Sequence, residues 1–153
     1  MILNESLAIT SFLTFIKASK LITDKLKENI ATYGLNTSEF AVLDLLYHKG
    51  KQTSHQICQN VLMASGSMTY IIDKLEKKEL VKRENCPKDR RATYILITHK
   101  GSQFINYIFP KYQKVIEDLF IDLDDEEKKA VIKILGKIGG IKNDSTEDLF
   151  NLD

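Results

Sequence analysis

The polar side chains of one short segment, residues 65–77, could contact nucleic acid. Hydroxyl, phenol and ammonium groups lie there beside an apolar helical pattern: Ser65, Ser67, Thr69, Tyr70, Lys74 and Lys77. Hydroxyl groups can bond to base edges, and ammonium groups can bond to phosphate oxygens. The chemistry indicated is recognition rather than catalysis, although any amphipathic helix has a polar face.

A second charged segment follows between two β-rich stretches. It reads Asn-Cys-Pro-Lys-Asp-Arg-Arg over residues 85–91, and its proline and asparagine indicate a loop. Arginines at a hairpin tip, here Arg90 and Arg91, can enter a minor groove, where the electrostatic potential is negative. Lys88 adds a cation, and Asp89 is placed to hold an arginine in position.

Cys86 in this loop is a candidate sensor of electrophiles or oxidants. We expect its thiol to be exposed and its thiolate to be stabilised by the neighbouring cations. The alternative is an incidental loop cysteine. Cys58 is interpreted as a small core residue, and with His55 it forms only half of a zinc site, so we predict no metal.

An ordered series of elements must position these groups. The predicted recognition helix has an apolar stripe at helical spacing: Met68, Ile71, Ile72 and Leu75. Ser65 is its expected N-cap. A shorter helix is predicted over 53–60, and β-strands over 80–84 and 92–98. Two helices followed by a hairpin are typical of a winged helix-turn-helix.

These residues resemble the MarR family of transcription regulators. The resemblance is carried by the helix start at 36–43, by Ser-Gly-Ser-Met-Thr at 65–69, by the helix ending at 72–76, by Asp-Arg-Arg at 89–91 and by residues 97–101. It implies that Asp89 and Arg91 are the buttress and the minor-groove arginine of the wing. It also implies that Ser65, Ser67 and Thr69 face DNA. Tyr70 stands where many relatives carry arginine, so their base preference does not carry over.

Both ends of the chain carry more aliphatic side chains than one small domain can cover. A long helix is predicted at the N-terminus, and two more follow the wing, the first bent at Pro110 and the second running from about Asp124 to Gly139. The last helix is expected to bury four residues: Val131, Ile134, Leu135 and Ile138. We expect these helices to pack against a second copy, and the resemblance implies the same homodimer.

The predicted fold is therefore mainly α with a small β-hairpin wing, an α+β winged helix-turn-helix. Four helices, two strands and two further helices are expected in that order. We predict one MarR-type domain over 1–153, with a DNA-reading lobe at 35–100. Residues 1–34 and 101–142 would form the dimerisation helices, and 143–153 an acidic tail.

The charge is distributed unevenly along the chain. The formal net charge of +1 is not that of a bulk nucleic-acid binder. Residues 73–100, however, hold nine Lys and Arg against five Asp and Glu, a net charge of +4, whereas residues 117–127 hold seven acidic residues and no cation. This asymmetry would orient a basic face toward DNA, although solvated helix faces explain the acidic stretch equally well.

The resemblance also implies a small aromatic or phenolic effector bound where the dimerisation helices meet the DNA-reading lobe. In this chain that cleft would be lined by Phe12, Phe15, Ile16, Phe40 and Tyr47. The same apolar pattern is also typical of plain core, and we favour the core interpretation.

Two functions from different classes remain open. The first is a homodimeric repressor that binds double-stranded DNA at a pseudo-palindromic promoter site and is released by an aromatic ligand or an electrophile. The second is a winged-helix module that binds a protein partner. We expect no enzyme and no cofactor, because the sequence has no phosphate-binding glycine loop, zinc-protease motif or nucleophile elbow. No signal peptide or membrane span is recognised, so we expect a cytoplasmic protein.

Overall fold

The computed structural model describes residues 6–61, 68–87, 89 and 92–140. Within them the chain forms six helices and a three-stranded antiparallel sheet, so the fold is mainly α, as predicted. The elements in chain order are α1 (Leu7–Ala31), α2 (Thr37–Lys49), β1 (Gln52–Thr53), α3 (Ser54–Asn60), α4 (Met68–Lys77), β2 (Val81–Asn85), β3 (Thr93–Ile97), α5 (His99–Leu119) and α6 (Asp125–Gly139).

Local hydrogen bonds set where several helices begin. In a capping box the N-cap side chain accepts from the backbone N–H three residues on, and the side chain of that third residue accepts from the N-cap N–H. Among the described residues, three helices begin in this way, at the pairs Asn36–Glu39, Thr53–Gln56 and Asp124–Glu127. At the other end of α6, Gly140 adopts a left-handed φ of 66° and ends the helix, close to the predicted stop.

The sheet contains one strand that the sequence did not indicate. The predicted hairpin is present as β2 and β3, paired antiparallel with Arg83 opposite Ile95. The additional strand β1 pairs with the other edge of β3, with Gln52 opposite Ile95. Thr53 is therefore a strand residue and the N-cap of α3, rather than the first residue of that helix as predicted. A strand of only two residues is too short to show the alternating pattern that identifies strands in a sequence.

A single core holds the sheet against the helices. Ile95 of β3 is fully buried and packs among residues of α2, α3, α4 and α5. The fully buried members from these helices are Val42, Leu43, Leu46, Ile57, Ile72, Leu75, Ile105 and Ile108. This core fixes the orientation of α4 relative to the β2–β3 hairpin, and both elements are predicted to contact DNA.

The first turn of α5 lies very close to the base of the hairpin. The Thr98 side chain caps α5 and donates to the carbonyl of Glu79 at 2.7 Å, while the Thr98 N–H donates to the carbonyl of Leu80 at 3.0 Å. Gly101 packs so tightly there that an added Cβ would lie 2.1 Å from the Leu80 carbonyl oxygen. Only glycine fits at this position without moving the backbone.

The long terminal helices leave apolar side chains uncovered. On α1, Phe12, Phe15 and Ile16 are exposed. The expectation that α6 buries its aliphatic residues is wrong for the single chain: Val131 is partly buried, and Ile134, Leu135 and Ile138 are 54%, 37% and 72% exposed. Burial of α6 would require contacts from outside the described residues. None of the helices in the described segments is both long and apolar enough to cross a membrane.

Candidate nucleic-acid interface

The recognition helix α4 presents a polar face because its apolar face is packed. Met68, Ile71, Ile72 and Leu75 are buried, as the predicted stripe requires. The opposite side of the helix exposes four residues, Thr69, Tyr70, Asp73 and Lys77. Ser65 and Ser67, predicted to lie on the DNA side, fall outside the described residues. The described part of α4 therefore offers a hydroxyl, a phenol and an ammonium group to a ligand.

Tyr70 and Lys74 form a pair on this face. The Lys74 ammonium lies 4.7 Å from the centroid of the Tyr70 ring, in cation–π geometry. A side-chain hydrogen bond to Tyr70, and then its charge, raise the pKa of Lys74. Lys74 therefore stays protonated at neutral pH and is held beside the phenol. The pair can present a positive charge to a phosphate and an aromatic hydroxyl to a base edge at adjacent positions.

An arginine from the hairpin contacts two carboxylates of α4. One Nη of Arg83 donates to Asp73 Oδ1 at 2.5 Å, and the other contacts Glu76 Oε2. The backbone N–H of Arg83 also donates to Glu76 Oε1 at 3.3 Å. Burial of the guanidinium opposes its protonation, but the hydrogen bonds and charges of the two carboxylates raise the pKa of Arg83 overall. This cluster joins the recognition helix directly to β2.

The wing closes through backbone hydrogen bonds beyond the strand ends. The N–H of Cys86 donates to the carbonyl of Ala92 at 2.9 Å, and the N–H of Ala92 donates to the carbonyl of Asp89 at 3.0 Å. Asp89 is exposed. Lys88, Arg90 and Arg91, three of the predicted contact residues, lie outside the described residues. These two hydrogen bonds hold Cys86, Asp89 and Ala92 close together, and the role of Asp89 as a buttress stays a prediction.

Cys86 is less exposed than predicted, because it faces Tyr94 across the hairpin. Its side chain is partly buried. The charge of the Cys86 thiolate raises the pKa of Tyr94 most, followed by a hydrogen bond between the two side chains, burial and the charge of Asp89. On the other side of Tyr94, the Lys51 ammonium lies 4.9 Å from the ring centroid. The thiol thus has an aromatic neighbour that the sequence did not indicate, and the cations predicted beside it lie outside the described residues.

Cys58 was predicted to be a core residue and is exposed. The seven-residue helix α3 buries only Ile57, so a neighbouring position on so short a helix faces solvent. His55 is also exposed. Among the described residues no group of three or more His, Cys, Asp and Glu side chains could hold a metal ion.

At the end of α4, Lys78 contacts the start of α2. Its ammonium donates to Oε2 of Glu39 at 2.9 Å and to the carbonyl of Gly34 at 2.7 Å. The Glu39 side chain is 3% exposed, and its other oxygen, Oε1, has no hydrogen-bond partner within the described segments. These groups border an open cleft of about 630 Å³, to which Lys74 and Lys77 also contribute. The cleft is basic, with one buried carboxylate in its wall.

The five residues proposed for an effector pocket have different surroundings in the single chain. Phe40 is buried, and its ring centroid lies 4.7 Å from that of Tyr112. Tyr47 is 37% exposed and donates to Asn106 Oδ1 at 2.6 Å. Phe12, Phe15 and Ile16 are exposed on α1, so the core interpretation is wrong for these three in the single chain. The pocket remains a prediction that depends on a second copy.

Two contributors to this site were not identified from sequence. Arg83 was counted only as part of the basic stretch, and Lys78 likewise. The spacing of Asp73 and Glu76 was a usable signal, because carboxylates three residues apart share one side of a helix and can contact one cation. The Lys78–Glu39 contact joins positions 39 residues apart, and no local pattern reports such a pair.

Comparison with known proteins places these features in a family context. A family model described as MarR family matches residues 35–93. The HTH-type transcriptional regulator MhqR of Bacillus subtilis is 44% identical over 128 residues, covering 84% of this chain and 88% of that relative. The HTH-type transcriptional regulator YkoM, also from Bacillus subtilis, is 36% identical over 132 residues, covering 86% of each chain.

Solved structures agree on the fold. AbsC, a MarR family transcriptional regulator from Streptomyces coelicolor, superposes with a TM-score of 0.75 at 22% identity, covering 86% of this chain and 90% of that one. A second MarR family regulator from Streptomyces coelicolor, solved in complex with DNA, superposes with a TM-score of 0.76 at 20% identity, covering 91% and 92% of the two chains. At these identities the likeness extends to the fold alone.

Proposed function

The chain belongs to the MarR family of winged helix-turn-helix transcription regulators, and from that membership we propose that it is a homodimeric repressor of a pseudo-palindromic promoter site. The observation that carries the proposal is the exposed face of α4, where Thr69, Tyr70, Lys74 and Lys77 stand beside the hairpin. Helices of this kind enter the major groove of DNA, and a basic hairpin tip suits the minor groove.

Within this proposal the residues divide by task. Thr69 and Tyr70 read base edges together with Ser65 and Ser67, while Lys74 and Lys77 bind phosphates. Lys88, Arg90 and Arg91 at the wing tip contact the minor groove, and Asp89 holds Arg91. Tyrosine offers one hydroxyl where arginine offers two parallel donors, so Tyr70 would give this regulator its own base preference.

The homodimer is supported by the exposed apolar residues of α1 and α6. Residues 1–34 and 101–142 would form the interface, with 35–100 as the reading lobe and 143–153 as an acidic tail. Twofold symmetry would place two recognition helices about 34 Å apart, which is one helical turn of DNA. The operator should therefore contain two half-sites related by an inverted repeat. Binding to genomic DNA also implies a cytoplasmic location.

Release from DNA would follow the binding of an effector. An aromatic ligand is proposed at Phe12, Phe15, Ile16, Phe40 and Tyr47, where the second copy would close over α1. One structural neighbour, the organohalide-sensing RdhR transcriptional regulator, was solved with 2,4-dichlorophenol bound, which supports a phenolic ligand class here. The alternative trigger is modification of Cys86 by an electrophile. The two triggers act at different ends of the chain and can be separated by substitution.

Fluorescence anisotropy on two duplexes of equal length tests the proposal. One duplex carries the promoter region of the protein's own gene, and the other has the same bases in scrambled order, both at physiological salt. We expect tighter binding to the promoter duplex, and Arg91→Ala should weaken it about tenfold. Equal weak binding to both duplexes would favour the second candidate, a module that binds an acidic protein partner.

Two substitutions on α4 separate base reading from phosphate binding. Tyr70→Phe keeps the ring beside Lys74 but removes the hydroxyl, so it should reduce the preference for the promoter duplex. Lys77→Ala should weaken binding to both duplexes alike and lower the salt dependence by about one counterion. Lys129→Ala removes one charge from the exposed surface of α6 and should change neither quantity.

A further inference from the structure

The ion-pair cluster of Arg83 lies where a DNA-binding helix would be expected to avoid negative charge. Asp73 belongs to the polar side of α4, three residues after Tyr70 and four before Lys77, and it is 57% exposed. Phosphates near that face would be repelled by a carboxylate. The guanidinium of Arg83 contacts this carboxylate and that of Glu76 together.

A contribution to folding stability does not by itself explain why this cluster is present. The side chains of Asp73, Glu76 and Arg83 are 57%, 40% and 32% exposed. Ion pairs at such exposed positions add little to the free energy of folding, because water screens them and the long side chains lose conformational freedom. The arrangement is nevertheless specific, since one arginine contacts two carboxylates and also donates its backbone N–H to Glu76.

The net charge of α4 suggests a role for the Arg83 ion-pair cluster in DNA binding. Between Met68 and Lys77 the helix carries two lysines and two carboxylates, a net charge of zero. Arg83 adds the cation that makes the recognition element positive, and it does so from the neighbouring strand without occupying a position on the exposed face of α4. Its fork of donors can hold two carboxylates in fixed orientations, which a lysine cannot do.

We propose that Arg83 is a positioning residue for DNA binding, which holds Asp73 and Glu76 and offsets part of their negative charge, so that α4 can approach the phosphate backbone. The inference rests on the proposed function. It assigns to Arg83 no contact with DNA: the residue acts through the two carboxylates. Its removal should therefore weaken DNA binding while leaving the fold intact.

A double-mutant cycle on the full-length protein tests this assignment. The variants are Arg83→Ala, the pair Asp73→Asn with Glu76→Gln, and all three substitutions together, each titrated on the promoter and scrambled duplexes at low and physiological salt. We expect Arg83→Ala to weaken binding about five- to tenfold at low salt, because Asp73 and Glu76 then lose the cation that holds them and repel the phosphates. The neutral pair should bind at least as tightly as the wild type, and adding Arg83→Ala to it should cost less than twofold.

The matched control is Lys100→Ala. It removes the same charge and frees an exposed carboxylate, Glu79, which follows the end of α4. Equal losses for Lys100→Ala and Arg83→Ala would show a general charge effect and overturn the assignment. A loss for Arg83→Ala that persists in the neutral pair would also overturn it, because Arg83 would then contact DNA itself. A wild-type protein without affinity for either duplex would instead refute the proposed function, and the inference with it.

Discussion

The ammonium of Lys78 lies 2.9 Å from Oε2 of Glu39, a carboxylate that is almost completely buried at the start of α2. The contact joins the residue after the recognition helix to the capping box that begins the reading lobe. Glu39 already uses the same oxygen to accept from the Asn36 N–H, so Lys78 completes its charge compensation. The recognition helix and α2 are therefore held together by charge as well as by the core.

Replacing Lys78 with alanine should destabilise the protein. The substitution leaves the Glu39 carboxylate buried without a counter-charge, which should lower the free energy of unfolding by about 1–3 kcal/mol. Lys100→Ala breaks an exposed pair and should have no measurable effect. Urea unfolding at pH 7 measures both variants. Similar small effects of the two would mean that Glu39 is compensated by water rather than by Lys78.

The stability of the protein should depend on the protonation of Asp44. Burial raises the pKa of Asp44, while the charge and proximity of His48 oppose the shift. The Nδ1 atom of His48 lies 3.2 Å from Asp44 Oδ1, but its hydrogen bond goes to the backbone carbonyl of Asp44 at 3.0 Å. The carboxylate oxygen has no hydrogen-bond partner among the described residues, so its charged form is poorly satisfied.

The sign of the pH dependence follows from this raised pKa. A carboxyl group with a raised folded-state pKa stabilises the fold below its unfolded-state value, and this contribution is lost as pH rises through the folded value. Asp44→Asn should therefore match the wild type near pH 4 and become the more stable of the two toward pH 7. Urea unfolding across that range measures the difference. Asp24→Asn, at an exposed position, is the control; a constant offset for Asp44→Asn would contradict the account.

Replacing Glu79 with glycine should give a more stable protein than replacing it with alanine. It follows α4 with a φ of 61°, a left-handed conformation that costs every residue with a Cβ more than it costs glycine. Glu79→Gly should raise Tm by about 3 °C relative to Glu79→Ala, the opposite of the order inside a helix. Both variants lose the contact with Lys100, so their difference isolates the backbone. Thermal unfolding followed by circular dichroism measures both Tm values. A Glu79→Ala variant at least as stable as Glu79→Gly would refute the prediction.

The exposed face of α6 should be required for dimerisation. Ile138 is 72% exposed in the single chain, so Ile138→Glu changes little within one copy. In a twofold dimer the loss occurs twice, and about 2 kcal/mol for each buried isoleucine gives roughly 1,000-fold weaker association. Light scattering at micromolar concentration should report dimers for the wild type and for Lys137→Glu, and monomers for Ile138→Glu. A monomeric wild type would contradict the proposed assembly.

Alkylation of Cys86 should weaken DNA binding. An added group would separate the thiol from Tyr94 and disturb the turn closed by Cys86 and Ala92, so the wing tip would lose its orientation. N-ethylmaleimide should lower the affinity for promoter DNA about tenfold in the wild type and in Cys58→Ser, as expected when one minor-groove contact is lost. It should have no effect on Cys86→Ser. Equal sensitivity of the two serine variants would show that the wing cysteine is not a sensor.

The elements that were predicted correctly from sequence are those whose signal is local. The stripe of α4 repeats within one helix, and the helix starts near residue 36 and near Asp124 are marked by polar residues within one turn, so local patterns locate them. The two long strands were located within one residue at each end, because β-branched residues and a proline-containing loop delimit them.

The features that were missed or predicted wrongly from sequence are those that depend on tertiary contacts. Strand β1 forms only because β3 offers a free edge, and Cys58 is exposed because α3 is too short to bury two neighbouring residues. The burial predicted for the aliphatic residues of α6 depends on a second copy and is not present among the described residues of one chain. Arg83 and Lys78 make their contacts across elements, and spacing within one segment reports only half of each pair.

The contact between the first turn of α5 and the base of the hairpin contains no residue that could act as a hinge. A hinge needs residues that can absorb changes of φ and ψ, whereas Thr98 is bonded to Glu79 and Leu80, and Gly101 is packed against the same carbonyl. The 21-residue helix α5 continues through Pro110, so we expect it to rotate together with the hairpin as one lever. At 1.5 Å per residue the lever is roughly 30 Å long, so a tilt of about 5° moves its far end by about 3 Å. An effector that moves the far end of α5 would therefore change the orientation of the wing without refolding any loop.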